Sequence, residues 1–446
     1  MMRRSLTNIA TGIAVGAGLL IAGQIGSARS NGDTSSAIVA GAGAPTGEPR
    51  IPSGGSLADL ISSLQSRLES VPNDSASWAT LGLAYVQQAK VTIDPSYYPK
   101  ADGALARSLE IDSADNFLAY AGLSALASAR HDFSAARDFA EQGLEINEYS
   151  AILHGALSDA QLQLGDYDAA FASVQRMIDL SPDTASLARA SYTWELRGDI
   201  ARARTLMQRA LDDAPDAADR AFALVHLGTL SLDQGDANTA LGSFRDALAA
   251  SPTDVAALAG KARAEAAIGQ TETAIDDYAT LVARAPEPGY VIEFARLLES
   301  VGRSDEAAAQ YEVFTATQQL FAANGVEADS AAVLVEADRC DDPARVVAEA
   351  EAALERRPFL DMYDAYAWAL HCAGRDDEAM LAIRSAMELG TPNARYHFHA
   401  GMIARSLGDD VVAIRELNTA LAINPEFDPL SAPVARAALL DLQSDR

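Results

Sequence analysis

The chain has 446 residues, a formal net charge of -28 and a pI near 4.5, with 49% hydrophobic but only 6% aromatic residues. That acidity excludes the basic face a nucleic-acid partner requires and disfavours adsorption to anionic lipid. The apolar content is largely Ala and Leu, which excludes a disordered chain and points to helices with thin interfaces, and two cysteines are too few for a disulfide framework.

In chain order, residues 1–28 carry Arg3 and Arg4, then an apolar run from Ile9 to Ile25, then Gly26-Ser27-Ala28. A charged start, an apolar centre and a small-residue end form a secretory signal. Cleavage after Ala28 is expected. The alternative is an uncleaved membrane anchor over residues 9–25, a run short for a spanning helix. Either way the protein is expected outside the cytoplasm: periplasmic, in the cell envelope or secreted. Residues 29–55 hold Pro45, Pro49, Pro52 and Gly54-Gly55 without helical period, which predicts a flexible linker. Residues 56–446 form the predicted helical body.

The body opens with one apolar helix face, Leu57, Leu60, Ile61, Leu64 and Leu68, closed by Pro72. From there a ladder of turn residues recurs: His131, Gly165, Gly198, Gly235, Gly269, Gly302, Asp341, Gly374 and Gly408. The spacings scatter about 34 residues, with 37 before Gly235 and 39 before Asp341. Five residues after each turn stands a small residue: Ala136, Ala170, Ala203, Ala240, Ala274, Ala307, Val346, Ala379 and Ala413. A second helix must approach the first closely there. Prolines recur between units, among them Pro182, Pro215, Pro252, Pro358 and Pro425, and each ends a helix. A short helix from Val434 to Leu442 closes the other end.

Trp78-Ala79-Thr80-Leu81-Gly82-Leu83-Ala84-Tyr85, Leu164-Gly165-Asp166-Tyr167-Asp168-Ala169-Ala170 and Asn418-Thr419-Ala420-Leu421-Ala422-Ile423-Asn424-Pro425 carry a resemblance to the tetratricopeptide-repeat (TPR) family. It covers residues 75–427. The resemblance implies an all-α fold, a right-handed α-solenoid of about ten helix-turn-helix TPR units with N- and C-terminal capping helices. It also implies a concave groove, lined by first helices, that binds a protein or peptide. Two departures stand out. Val91 to Pro99 lengthens the first unit, with Tyr97 and Tyr98 expected to pack back on its first helix. The long spacing before Asp341 predicts a lengthened second helix around Phe314–Phe321.

Counting along the first helices, the groove-facing candidates are Asp159, Gln163, Tyr192, Glu195, Arg263, Arg296, Glu299, Asp338, Trp368, His371, Met402 and Arg405. Tyr192, Trp368 and Met402 could anchor an apolar side chain, and Arg263 and Arg296 could pair a carboxylate. The Lys and Asn clamp of chaperone-binding members is absent, since Ala79, Leu83, Ala121 and Ala125 stand at its places. His397 and His399 are two apart on a helix and face different ways, so no metal site is expected, nor any cofactor or catalytic residue. Cys340 and Cys372 lie in neighbouring units. A disulfide needs Cα atoms within about 7 Å, whereas stacked helices sit about 8–10 Å apart; two buried thiols are therefore expected, with a bond as the alternative. The reading is a non-enzymatic, exported interaction scaffold. The alternative is an accessory subunit or periplasmic carrier of an envelope enzyme or transporter complex.

Overall fold

The computed structural model describes residues 55–444. The predicted signal or anchor, and all of the predicted linker except Gly55, lie outside them. The described residues form 22 α-helices and one 3-10 turn, without strands. Between α1 (Gly55–Ser70) and α22 (Ser431–Ser444), helices alternate as antiparallel pairs. The first helices are α2 (Ser75–Thr92), α4 (Phe117–Ala129), α6 (Ala151–Gln163), α8 (Thr184–Leu196), α10 (Ala217–Asp233), α12 (Val255–Ala267), α14 (Pro288–Ser300), α16 (Ser330–Arg339), α18 (Leu360–Cys372) and α20 (Ala394–Ser406). Their partners are α3 (Tyr98–Ile111), α5 (Phe133–Ile146), α7 (Tyr167–Leu180), α9 (Ile200–Asp212), α11 (Ala237–Ala250), α13 (Thr271–Arg284), α15 (Ser304–Ala322), α17 (Pro343–Arg356), α19 (Asp376–Ala386) and α21 (Asp410–Ile423).

The turn within a pair has a simple local cause. Its ladder residue is left-handed, as at Gly198 (φ +77°) and Gly235 (φ +78°). This lets the next amide reach back five residues: Asp199 N–H donates to the Trp194 carbonyl and Asp236 N–H to the Ser231 carbonyl, both at 2.9 Å. The same aspartates then cap the second helix, accepting from the amides of Arg202 and Thr239. The small-residue ladder is buried throughout, each member 3% exposed or less. One ladder position shifts: the left-handed residue of the α16/α17 turn is Cys340 (φ 53°), not Asp341. Tyr98 is buried and Tyr97 packs 6.0 Å from the Tyr85 ring, so this loop folds back on α2. α15 is indeed lengthened, to 19 residues.

The coil closes on itself. His131 Nδ1 lies 2.9 Å from the Glu327 carbonyl, 196 residues away. Arg357 Nε donates to Gln163 Oε1, separated by 194. Thr391 Oγ1 donates to the Leu196 carbonyl at 2.6 Å across 195 residues, and Asn424 Nδ2 to the Leu232 carbonyl at 2.9 Å across 192. The separation is nearly constant, so successive in-pair turns dock in order onto successive joins between later pairs. Small rotations per unit have summed to a full superhelical turn, and the next turn rests directly on it. The face lined by first helices is thus the wall of a lumen rather than an open groove.

The structure also joins Cys340 to Cys372, with Cα atoms 5.7 Å apart. The expectation of two thiols fails because axis separations apply to helix middles. Here both residues stand at helix ends, and the left-handed Cys340 turns its side chain toward α18. The bond closes a loop of 32 residues in sequence separation. Replacing both cysteines by Ser should lower stability by about 3–4 kcal/mol through the unfolded chain's regained freedom. Urea unfolding checks this; an unchanged midpoint would refute it.

Candidate functional site

A cavity of about 600 Å³ occupies the lumen, walled by first helices from α8 to α20 and by the join before α22. Glu195, Arg263, Arg296 and Asp338 of the predicted set meet there. Arg263, Arg296 and Asp338 make hydrogen bonds and ion pairs with residues from elements far apart in sequence. Arg296 donates through Nε and Nη2 to the two oxygens of Asp428 (2.8 and 2.9 Å), and through Nη1 to Asp338 (2.6 Å). Trp368 Nε1 donates to the other Asp338 oxygen at 2.8 Å, and its ring stacks on His399 at 4.1 Å. His399 Nδ1 lies 2.7 Å from Asp364 Oδ1. Arg395 bridges Asp364 (2.9 Å) and Asp361 (3.0 Å), and Tyr396 donates its hydroxyl to Asp361 at 2.7 Å. Arg263 stands 3.3 Å from Glu293, which also accepts from Tyr278.

Each arginine of the cavity is therefore matched by carboxylates. Burial would raise the fully buried Asp364 carboxyl, but the His399 and Arg395 charges outweigh it and hold it below its ordinary value. Glu195 and Asp233 behave oppositely. Burial pushes Glu195 up to about 8, and the charges of Asp233 and Asp361 push the same way. Burial pushes Asp233 up to about 6, with Arg263 pulling it back. Asp233 is exposed and opens onto the cavity.

The remaining predicted residues lie elsewhere. Asp159 is buried in a two-pronged pair with Arg189 (3.0 and 2.8 Å). Gln163 belongs to the seam between superhelical turns, and Tyr192 is half-buried against the adjoining apolar cluster. Glu299 accepts from Tyr311, and His371 pairs with Asp376. Met402 packs in the cluster under α22, and Arg405 pairs with Asp441 of that helix. His397 and His399 turn to different partners, Glu416 and Asp364. Among the described residues no group of three His, Cys, Asp or Glu is placed to hold a metal ion. Sequence reasoning missed Asp233, Asp361, Asp364, Arg395 and Asp428. Only their charge on otherwise apolar first helices hinted at the first four, and Asp428, in a join, left no signal.

Two family models, each described as tetratricopeptide repeat, match residues 151–184 and 226–287, which span α6 to the start of α8 and α10 to the join before α14. Over those residues the chain carries tetratricopeptide repeats. No curated protein sequence matches it. Among solved structures, a TPR protein from Parabacteroides merdae is 19% identical over 58% of this chain and 98% of its own, at a TM-score of 0.34. A chain of the APC/C hetero-tetramer Cut9-Hcn1 is 15% identical over 86% and 87%, at 0.44. A structure from Pseudomonas aeruginosa, pilF, is 15% identical over 48% and 92%, at 0.36.

Proposed function

We propose that this TPR protein is an exported, non-enzymatic scaffold that receives a segment of a protein partner in its lumen. The TPR repeats support an interaction scaffold. The observation that carries the finer reading is the cavity: first-helix side chains converge there, and its volume suits a few side chains of an inserted segment. Ala266 lines it half-buried, so Ala266→Trp should fill it with little change in unfolding midpoint. A photo-crosslinking residue at position 334, on the wall, should capture partner. Ala266→Trp should reduce that capture at least tenfold, while Val411→Trp on the exposed outer surface should not. Capture unaffected by the filled cavity would sink the reading.

Export is supported by the signal-like pattern of residues 1–28 and by the Cys340–Cys372 bond, since disulfides persist in oxidising compartments. Expressed in a bacterium with a working secretion system, the protein should appear outside the cytoplasm with an intact mass beginning at Arg29. An uncut chain in the soluble cytoplasm would refute export.

A further inference from the structure

Arg357, in the join between α17 and α18, is a buried cation without a counter-charge. It is 3% exposed, and its Nη1 and Nη2 atoms are both buried with no hydrogen-bond partner. Only Nε is satisfied, by the neutral Gln163 Oε1. The N–H groups on Nη1 and Nη2 thus face protein that accepts none of them. Two carboxylates stand in the neighbourhood, Asp329 and Asp361. Asp329 accepts from the Ala332 amide to cap α16, and Asp361 accepts from Arg395 and Tyr396. Neither reaches Nη1 or Nη2. The other titratable neighbours are His131, Tyr192 and Tyr396, a base and two phenols.

The guanidinium sits where the two superhelical turns cross. Its central carbon lies 5.4 Å from the Phe133 ring of the earlier turn and 5.8 Å from the Phe359 ring of the later one. Phe359 is the N-cap of α18 and offers no side-chain acceptor, so the positive end of that helix dipole adds to the guanidinium charge. Aromatic faces attract a cation, but two rings do not replace a counter-ion. A buried water would accept hydrogen bonds and leave the charge uncompensated, which is costly. An anion supplies both acceptor and charge. Phe133 and Phe359 are almost completely buried themselves, and this tight packing selects a monatomic ion over phosphate or an organic acid.

We propose that a buried chloride, held by Nη1 and Nη2 of Arg357, bridges the two superhelical turns and strengthens their seam. This role is separate from partner binding in the lumen. It makes closure of the coil responsive to halide, because the ion binds only when Arg357 is packed against the earlier turn.

The test is amide hydrogen exchange on the full chain at pH 7, in sodium chloride and in sodium gluconate of equal ionic strength, gluconate being too large to enter. Exchange at 163–165 and 357–360 should be about tenfold slower in chloride, the protection expected when the free ion exceeds its dissociation constant about tenfold. Arg357→Met should abolish the difference between the salts. Should that variant fail to fold, Gln163→Glu gives the guanidinium a carboxylate of its own, and its exchange should be equally slow in both salts. Crystals grown with bromide in place of chloride should show an anomalous peak beside Nη1 and Nη2. Equal exchange of the wild type in the two salts overturns the proposal. So does a chloride effect that persists in either variant, which would be a general salt effect, or density at Nη1 and Nη2 without anomalous signal, which would be water.

Discussion

Gly198→Ala is expected to cost about 3–4 kcal/mol and to loosen the superhelical seam, whereas Gly269→Ala should cost only about 1 kcal/mol. Both glycines are left-handed ladder residues, at φ +77° and +80°, so both substitutions bring the same backbone penalty. They differ in what lies above. A Cβ on Gly198 would stand 2.7 Å from the Gly390 carbonyl oxygen, on backbone of the overlying turn, and one on Gly269 would meet nothing within 4 Å. Backbone cannot rotate away as a flexible side chain can, so the two superhelical turns must separate locally. That would strain the Thr391 to Leu196 hydrogen bond. The difference between the two variants isolates the closure from the turn. Urea unfolding measures the stability gap, and amide exchange at 390–392 should rise in Gly198→Ala alone. Equal losses in the two variants would mean that the seam contributes nothing.

This seam marks where sequence reasoning reaches its limit. Most local punctuation was legible: a turn residue within each pair, a small residue five residues after it, a Pro at many joins. Each of these acts within one pair of helices, so each repeats at the period of the pair. The docking of Gly165 under Pro358, or of Gly235 under Asn424, depends on the sum of rotations over five or more pairs. No single unit carries that sum in its pattern. The same cause divides the groove candidates. Counting along the first helices found Glu195, Arg263, Arg296 and Asp338, which line the cavity. The rule failed at α20, where Met402 and Arg405 meet the capping α22 instead. It also passed over Asp233, which lines the cavity from the end of α10. Asp341 was mistaken for Cys340 because the lengthened α15 and its join break the spacing just before that turn.

Asp364→Asn should prove the most damaging isosteric change in the lumen wall, at about 3–5 kcal/mol. Asp364 is fully buried and accepts from both His399 and Arg395. The amide keeps the shape but removes the charge, leaving the His399 ring, itself 4% exposed, without its anion. Arg395 retains Asp361 alone. The disturbance should pass to Trp368, whose ring stacks on His399 and whose indole N–H holds Asp338 against Arg296. The expected signature is a lower urea midpoint together with altered tryptophan fluorescence in the native state. Acid should mimic the substitution. The folded carboxyl titrates below its ordinary value, so its contribution is complete above the unfolded pKa of about 4 and is lost as pH falls through the lower folded value. The mutant should therefore lose less stability than the wild type on acidification below pH 4. Glu378→Gln, which breaks only an exposed pair with Arg375 on α19, should leave the midpoint where it is. A loss under about 1 kcal/mol for Asp364→Asn would mean that solvent in the lumen screens this network as it does a surface pair. The lumen would then be wetter and more open than its walls indicate.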